Sequence, residues 1–134
     1  MQLLAEYHKY ESWSMFNSEK QRLLNYLIDN NIDGVVLLSG DRHIGEILRD
    51  DDVLGYPLVE FTASPLAAGV GSSTDDSLVK RRVAQSEITA EHFGILDFDF
   101  SGVDPTLIYS AMGQHGEQLG LSYTLHASQL KSQQ

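Results

Sequence analysis

The sequence predicts a mixed α/β (α+β) fold in which a helix and buried strands come first and antiparallel strands follow. Two observations support this. Between residues 18 and 39 an amphipathic helical pattern leads through a short turn into an uninterrupted apolar run. Beyond residue 92, apolar and polar residues alternate in three stretches, which is typical of antiparallel strands with one face in solvent. This order suits one sheet and its flanking helix in an α/β/β/α sandwich, so we expect a single domain over residues 1–134.

The helix is predicted over residues 18–30. Asn17 is a residue type that caps helix N-termini, and Glu19 places a carboxylate in the first turn. An apolar stripe at helical spacing marks the face that should be buried; it comprises Leu23, Leu24, Leu27 and Ile28. We therefore expect this face to pack against a sheet.

A strand is predicted over residues 34–39. Gly34 to Leu38 are apolar or small without alternation, so we expect both faces of the strand to be covered, as in the interior of a mostly parallel sheet. Residues 42–48 are expected to begin a brief helix, and residues 57–62 to form a second strand.

Residues 64–91 are rich in Gly, Ser, Ala and Asp and lack a clear period, so they predict a long loop that is either functional or mobile. Three alternating stretches follow, at 93–100, 107–112 and 119–130. Turn residues separate them, and the sequence therefore predicts three consecutive antiparallel strands.

Composition excludes several classes of partner. The chain has 19 acidic and 9 basic residues, a formal net charge of −10, which argues against nucleic acid or an anionic membrane surface. It has no cysteine, so disulfides and thiolate metal sites are excluded. No apolar run approaches the ~20 residues of a membrane span. The first residues lack the basic region and long apolar core of an export signal.

The residues that could bind a metal ion or a phosphate follow the first predicted strand. The end of such a strand is where α/β proteins bind ligands. His43 carries an imidazole, a common metal ligand. Asp41 is either a ligand, the holder of a ligand water, or a turn residue. Arg42 suits either a phosphate oxygen or a salt bridge to a neighbouring acid. Glu46 either pairs with a base or orients His43.

The segment Ser39-Gly40-Asp41-Arg42-His43, followed by Ile44-Gly45-Glu46-Ile47, resembles the last metal-binding motif of the alkaline phosphatase D family, within the calcineurin-like metallophosphoesterase superfamily. Most of the superfamily has Gly-His-x-His at this loop, whereas Gly-Asp-x-His resembles the alkaline phosphatase D form. Two flanking segments are also similar to that family: Glu11-Ser12-Trp13 ahead of the helix, and residues 56–64, which end in Thr-Ala-Ser. The resemblance covers roughly residues 2 to 130, but only the carboxyl-terminal part of the family's domain.

The resemblance implies part of a four-layer metallophosphoesterase sandwich. It also implies a phosphatase that hydrolyses phosphomonoesters or phosphodiesters through a metal-activated water. Asp41 and His43 would be catalytic metal ligands and Arg42 a substrate-binding residue, and the ions would be zinc, iron, manganese or calcium.

The family's earlier Asp-rich motifs have no counterpart in this sequence, so we expect the isolated chain to be inactive. The expected partners are a phosphate ester substrate and either a second copy of the chain or the missing amino-terminal half. The alternative function is a non-catalytic binding or assembly module derived from the same fold. Full-length relatives are commonly exported, and the localisation of this chain is left open.

Overall fold

A computed structural model describes residues 1–6, 11–72 and 79–132, and within these ranges it contains two three-stranded sheets and one α-helix. This confirms a mixed helix-and-sheet, α+β-type fold. The elements are, in chain order, a 3-10 helix at Trp13–Phe16, α1 (Asn17–Asp29), β1 (Val36–Ser39), β2 (Glu46–Asp50), β3 (Leu58–Thr62), β4 (His92–Asp99), β5 (Thr106–Gly113), β6 (Gln118–His126) and a final 3-10 helix at Ala127–Leu130.

The predicted helix is confirmed to within one residue at each end. Asn17 is its first residue rather than its cap, and the side chain of the capping residue, Phe16, makes no cap hydrogen bond. Of the apolar stripe, Leu24 is buried and Leu27 half-buried, while the other two side chains are exposed. The helix therefore buries a narrower face than the stripe predicts.

The first sheet has the strand order β1-β3-β2, with β1 parallel and β2 antiparallel to β3. The prediction that the strand at 34–39 is central and buried on both faces is therefore wrong. β1 lies at the edge of this sheet, and the side chain of Leu38 is 64% exposed. An apolar run indicates a strand that other elements can bury. It does not indicate whether the strand has a neighbour on both sides in the sheet.

The central strand is β3, all five of whose residues are buried. It contains two polar residues, and both have partners. The carboxylate of Glu60 accepts hydrogen bonds from the backbone N–H groups of Leu3 and Leu4, at 2.9 and 2.7 Å. The hydroxyl of Thr62 bonds to Gln2 Nε2 at 2.8 Å. Paired in this way, polar side chains can occupy a core position at little cost.

The brief helix expected at 42–48 is also wrong, because the chain there enters β2. Strand β3 pairs with one edge of β2, and residues 81–88 lie along the other edge. Gly45 and Ile88 exchange two backbone hydrogen bonds of 2.8 Å, and Arg49 N donates to Arg81 O at 2.8 Å. Hydrogen-bond partners on both sides favour the extended conformation over a helical turn.

The described part of the predicted long loop, residues 64–72 and 79–91, contains no helix or extended strand. It is nevertheless tied to the first sheet through the bonds to β2. The acidic pair Asp75-Asp76 lies outside the described residues.

The second sheet is an antiparallel run with the order β4-β5-β6, as predicted. Its last strand ends at His126, earlier than predicted, and the chain then forms the final 3-10 helix. The two sheets meet where the ring of Phe61 in β3 stacks on Tyr109 in β5, with centroids 4.5 Å apart. Tyr123 of β6 meets the same Phe61 ring edge-on at 6.0 Å. This aromatic contact lies in the main hydrophobic core.

No helix in the described ranges has both the length and the apolar character needed to cross a membrane.

Candidate functional site

The loop between β1 and β2 carries the predicted site residues at the carboxyl end of β1. Asp41 and His43 both adopt positive φ angles, of 65° and 60°. Such left-handed backbone is uncommon outside glycine, although Asp and His tolerate it better than most residues. Two such residues within three positions show that surrounding contacts hold the loop in this shape.

One hydroxyl group organises this loop. Ser64 Oγ, just beyond the end of β3, accepts hydrogen bonds from the backbone N–H groups of Arg42 at 3.1 Å and His43 at 2.9 Å. The same hydroxyl donates to the carbonyl oxygen of Ile44 at 3.4 Å. One side chain thus bonds to the backbone of three consecutive residues of the loop.

A second set of contacts holds His43 from the opposite side. Its ring atom Nδ1 lies 2.6 Å from the carbonyl oxygen of Gly69, and its own carbonyl accepts from the N–H of Gly71 at 2.6 Å. Because a carbonyl oxygen can only accept, Nδ1 must carry the hydrogen in this contact. In the neutral ring the free lone pair is then on Nε2, and the His43 side chain is exposed.

Asp41 is exposed on the same loop, so both predicted ligands are accessible. In the parts of the chain that the structure describes, however, no group of three or more His, Cys, Asp or Glu side chains is placed to hold a metal ion. His43 fits a metal as one oriented nitrogen donor. The described residues do not complete a coordination shell around it.

Arg42 forms the salt bridge that the sequence left open. Its Nε lies 3.7 Å from Glu46 Oε1, and the side chain is only 12% exposed. Burial lowers the pKa of Arg42, and the neighbouring Glu46 charge opposes that shift. This placement differs from that of a side chain that reaches into solvent for a phosphate group.

Glu46 is the centre of a buried polar cluster and does not orient His43. Its carboxylate accepts from Arg82 Nε at 2.8 Å and from Gln2 Nε2 at 2.6 Å, in addition to the pair with Arg42. Arg82 also pairs with Glu87 at 3.1 Å. The base that the sequence expected for Glu46 is therefore present, although Glu46 belongs to a strand rather than a helix.

Of the other histidines that the structure describes, one is buried and two are exposed. His92 is buried, with Nδ1 2.8 Å from the carbonyl oxygen of Ala90. His115 and His126 are exposed. His8 lies outside the described residues, and Trp13 packs half-buried against the core.

Sequence reasoning missed the residues that support the loop, namely Gln2, Ser64, Gly69, Gly71 and Arg82. Ser64 ends the Thr-Ala-Ser segment, and the sequence indicated it only as part of the resemblance to the alkaline phosphatase D family. The glycines lie in the aperiodic stretch after it, where nothing in the local pattern indicates a contact with His43.

Comparisons with protein-family models, curated proteins and solved structures gave no match. The resemblance to the alkaline phosphatase D family thus rests on the motif residues themselves.

Proposed function

We propose that this chain is the carboxyl-terminal part of a metal-dependent phosphatase that hydrolyses phosphomonoesters or phosphodiesters. The observation that carries the proposal is the 2.6 Å contact between His43 Nδ1 and the Gly69 carbonyl. Metal-binding histidines commonly donate their other ring N–H to a carbonyl or carboxylate, which fixes the ring and the tautomer. His43 has this arrangement on an exposed loop at the end of a strand.

Asp41 is proposed as the second contributor to the same centre, as a ligand or through a ligand water. Arg42 has a different role in this proposal. Its buried pair with Glu46 supports a function in holding the loop, rather than the phosphate contact that the resemblance implies.

A bound zinc, iron, manganese or calcium ion would supply a Lewis acid and lower the pKa of a coordinated water. The ion would also offset the acidity of a chain of net charge −10, which otherwise repels a phosphate ester. His43 and Asp41 alone are too few for such a site. The remaining ligands are proposed to come from an amino-terminal half or from a separate chain.

The four-layer α/β/β/α sandwich is the corresponding proposal for the fold. β1 is an apolar strand with one unpaired edge and one exposed leucine, Leu38. A further strand beside β1 would pair the open edge, and a further layer packed on that face of the sheet would cover Leu38. The site loop at the end of β1 would then lie next to the loop that follows the added strand, which is where further metal ligands are needed.

The second candidate function is a non-catalytic assembly module. It is favoured by β4, which lies at a sheet edge and exposes every side chain of one face, namely Phe93, Ile95, Asp97 and Asp99. Open edges promote pairing with another chain. This candidate requires no metal.

The deciding experiment uses the longest native polypeptide that contains this sequence, together with any chain that purifies with it. Metal content is measured by elemental analysis, and turnover is measured on an aryl phosphate and a diaryl phosphate with each of the four metals. His43→Ala should lower both metal content and turnover by about 10–100-fold or more, as expected when a metal-site residue is lost.

His115→Ala, at an exposed turn, is the matched control and should change neither quantity. Equal metal content and turnover in the His43→Ala protein and the unaltered protein would contradict the phosphatase proposal. Absence of both metal and turnover from the unaltered protein would favour the assembly module.

A further inference from the structure

We propose that Ser64 and Gly71 are positioning residues that fix His43 as a single tautomer, with hydrogen on Nδ1 and the lone pair on Nε2. Together with the Gly69 carbonyl they form what we call the His43 cradle. The use of Nε2 as a metal ligand rests on the proposed function. The geometry of the cradle stands on its own contacts.

The first half of the cradle is the Ser64 hydroxyl, whose position is set by the sheet. Ala63 N donates to Ser39 O at 3.2 Å, which continues the pairing of β1 with β3 up to the residue before Ser64. From there Ser64 Oγ uses both of its acceptor sites on Arg42 N and His43 N. Two N–H groups of the loop, those of Arg42 and His43, are thereby satisfied by one anchored side chain.

The second half is the segment at Gly69 to Gly71, and the two glycines differ in what surrounds them. A Cβ at Gly71 would lie 3.1 Å from His43 O and 3.3 Å from His43 Cβ. A Cβ at Gly69 would meet nothing within 4 Å. Of the two, only Gly71 is tight: a side chain there would require His43 or Ile44 to move by a few tenths of an ångström.

Where residues 69–71 pack against His43, the carbonyl oxygen of Gly69 contacts Nδ1. An exposed imidazole in water can carry its proton on either nitrogen, and the partner of one nitrogen decides which is used. In the cradle the carbonyl selects Nδ1–H. This leaves a nitrogen donor on an exposed face of the loop, in a ring that does not have to reorient before binding.

The test is ¹⁵N NMR of the histidine ring nitrogens, read at the alkaline plateau where their signals no longer change with pH. The His43 signals are assigned by their loss in His43→Ala. We expect Nδ1 to be protonated in the unaltered chain. Ser64→Ala and Gly71→Ala should each shift the tautomer ratio by roughly two- to tenfold, the equivalent of one net hydrogen bond.

Three matched variants serve as controls. Gly102→Ala adds a methyl group between β4 and β5, where a Cβ would meet nothing closer than 3.8 Å, so the ratio should not change. Ser122→Ala removes an exposed hydroxyl that bonds only to Ser110 among the contacts described, and should also leave it unchanged. Ser64→Thr returns a hydroxyl and should restore the ratio. If Ser64→Ala does not fold, Gly71→Ala and Ser64→Thr still decide the question.

A mixed tautomer population in the unaltered chain would overturn the proposal, as would an unchanged ratio in folded Ser64→Ala and Gly71→Ala proteins. Addition of Zn²⁺ alone separates this inference from the proposed function. A fixed Nδ1–H tautomer whose Nε2 signal does not respond to Zn²⁺ supports the cradle and counts against the metal role. A response confined to His43 Nε2 supports both.

Discussion

Glu46 has the most demanding environment of the single residues in this chain. Its side chain is fully buried and is shared by two guanidinium groups and the amide of Gln2. The loss of one member of such a cluster leaves the others buried without their counter-charge. Breaking a buried ion pair is therefore far more costly than breaking an exposed one.

We predict that Glu46→Gln lowers the free energy of unfolding by about 3 kcal/mol or more, because Arg42 and Arg82 lose their shared carboxylate. Urea denaturation measures the change. Glu19→Gln is the control, since Glu19 makes an exposed pair with Arg22 and its loss should leave stability nearly unchanged. Equal, small effects of the two substitutions would contradict the role assigned to Glu46.

Two buried tyrosines form a second matched pair. The hydroxyl of Tyr56 donates to Ile32 O at 2.9 Å, whereas the hydroxyl of Tyr109 has no hydrogen-bond partner among the described residues. We predict that Tyr56→Phe lowers the free energy of unfolding by roughly 1 kcal/mol, and that Tyr109→Phe leaves it unchanged or raises it. Thermal or urea unfolding of both variants checks this; a larger loss in Tyr109→Phe would show that its hydroxyl is bonded.

Tyr109 also predicts a dependence of stability on alkaline pH. Burial raises the pKa of Tyr109 to about 12, while an unfolded tyrosine titrates near ~10. Between these values the unfolded chain loses a proton that the folded chain retains, so the free energy of unfolding should fall as the pH rises from about 10 to about 12. Tyr109→Phe should reduce this fall. The free energy of unfolding of both proteins is measured by urea denaturation at several pH values above ~10. If it falls equally steeply with pH in both proteins, Tyr109 does not contribute to the fall.

At the scale of elements, the first sheet shows how polar pairing decides which strand is central. β1 is more apolar than β3 yet lies at the edge, because β3 is the strand whose polar residues meet partners from the first residues of the chain and from β1. β2 is covered on its far side by residues 81–88. The second sheet then packs its aromatic rings onto β3.

The junction of the two sheets is sensitive at Gly45, immediately before β2. A Cβ there would lie 2.3 Å from His92 Nε2, and the His92 ring is held through Nδ1 by Ala90 O. We predict that Gly45→Ala lowers the free energy of unfolding by roughly 1–3 kcal/mol through overpacking. Gly69→Ala, with open space around it, should not. Comparable unfolding midpoints for the two variants in urea would show that His92 moves aside freely.

On the scale of the whole molecule, the described chain leaves much apolar surface in solvent. The rings of Phe98 and Phe100 stack on each other at the end of β4 and are 58% and 74% exposed. Leu38 on β1 is exposed at the edge of the other sheet. Covering such surface stabilises by roughly 25 cal/mol per Å², which gives a second chain an energetic reason to bind.

We predict that the 134-residue chain alone does not hydrolyse aryl phosphates and self-associates in solution, since its described residues form no complete metal site and β1 and β4 each lie at a sheet edge. Light scattering with a phosphatase assay across the four metals measures both properties. The double change Phe98→Ser and Phe100→Ser should weaken association through β4, with His115→Ala as a surface control. A monomer that turns over substrate would contradict both parts.

The local pattern of the sequence was sufficient for elements whose faces repeat along the chain. Helix α1 follows from its apolar spacing and turn residues, and strands β4 to β6 follow from alternation and turns, because neighbouring residues alone determine these periods. The loop with Asp41 and His43 at the end of β1 was also predicted, since strand ends are recognisable locally.

Only the tertiary structure decided which residues distant in sequence contact each other. The edge position of β1, the pairing of β2 with residues 81–88 in place of a helix, and the pairing of Glu46 with Gln2 and Arg82 each depend on partners more than 20 residues away. The orientation of His43 depends in the same way on Ser64 and Gly69. Periodicity records which face of an element is apolar, whereas the identity of the group that meets that face is fixed only when the chain has folded.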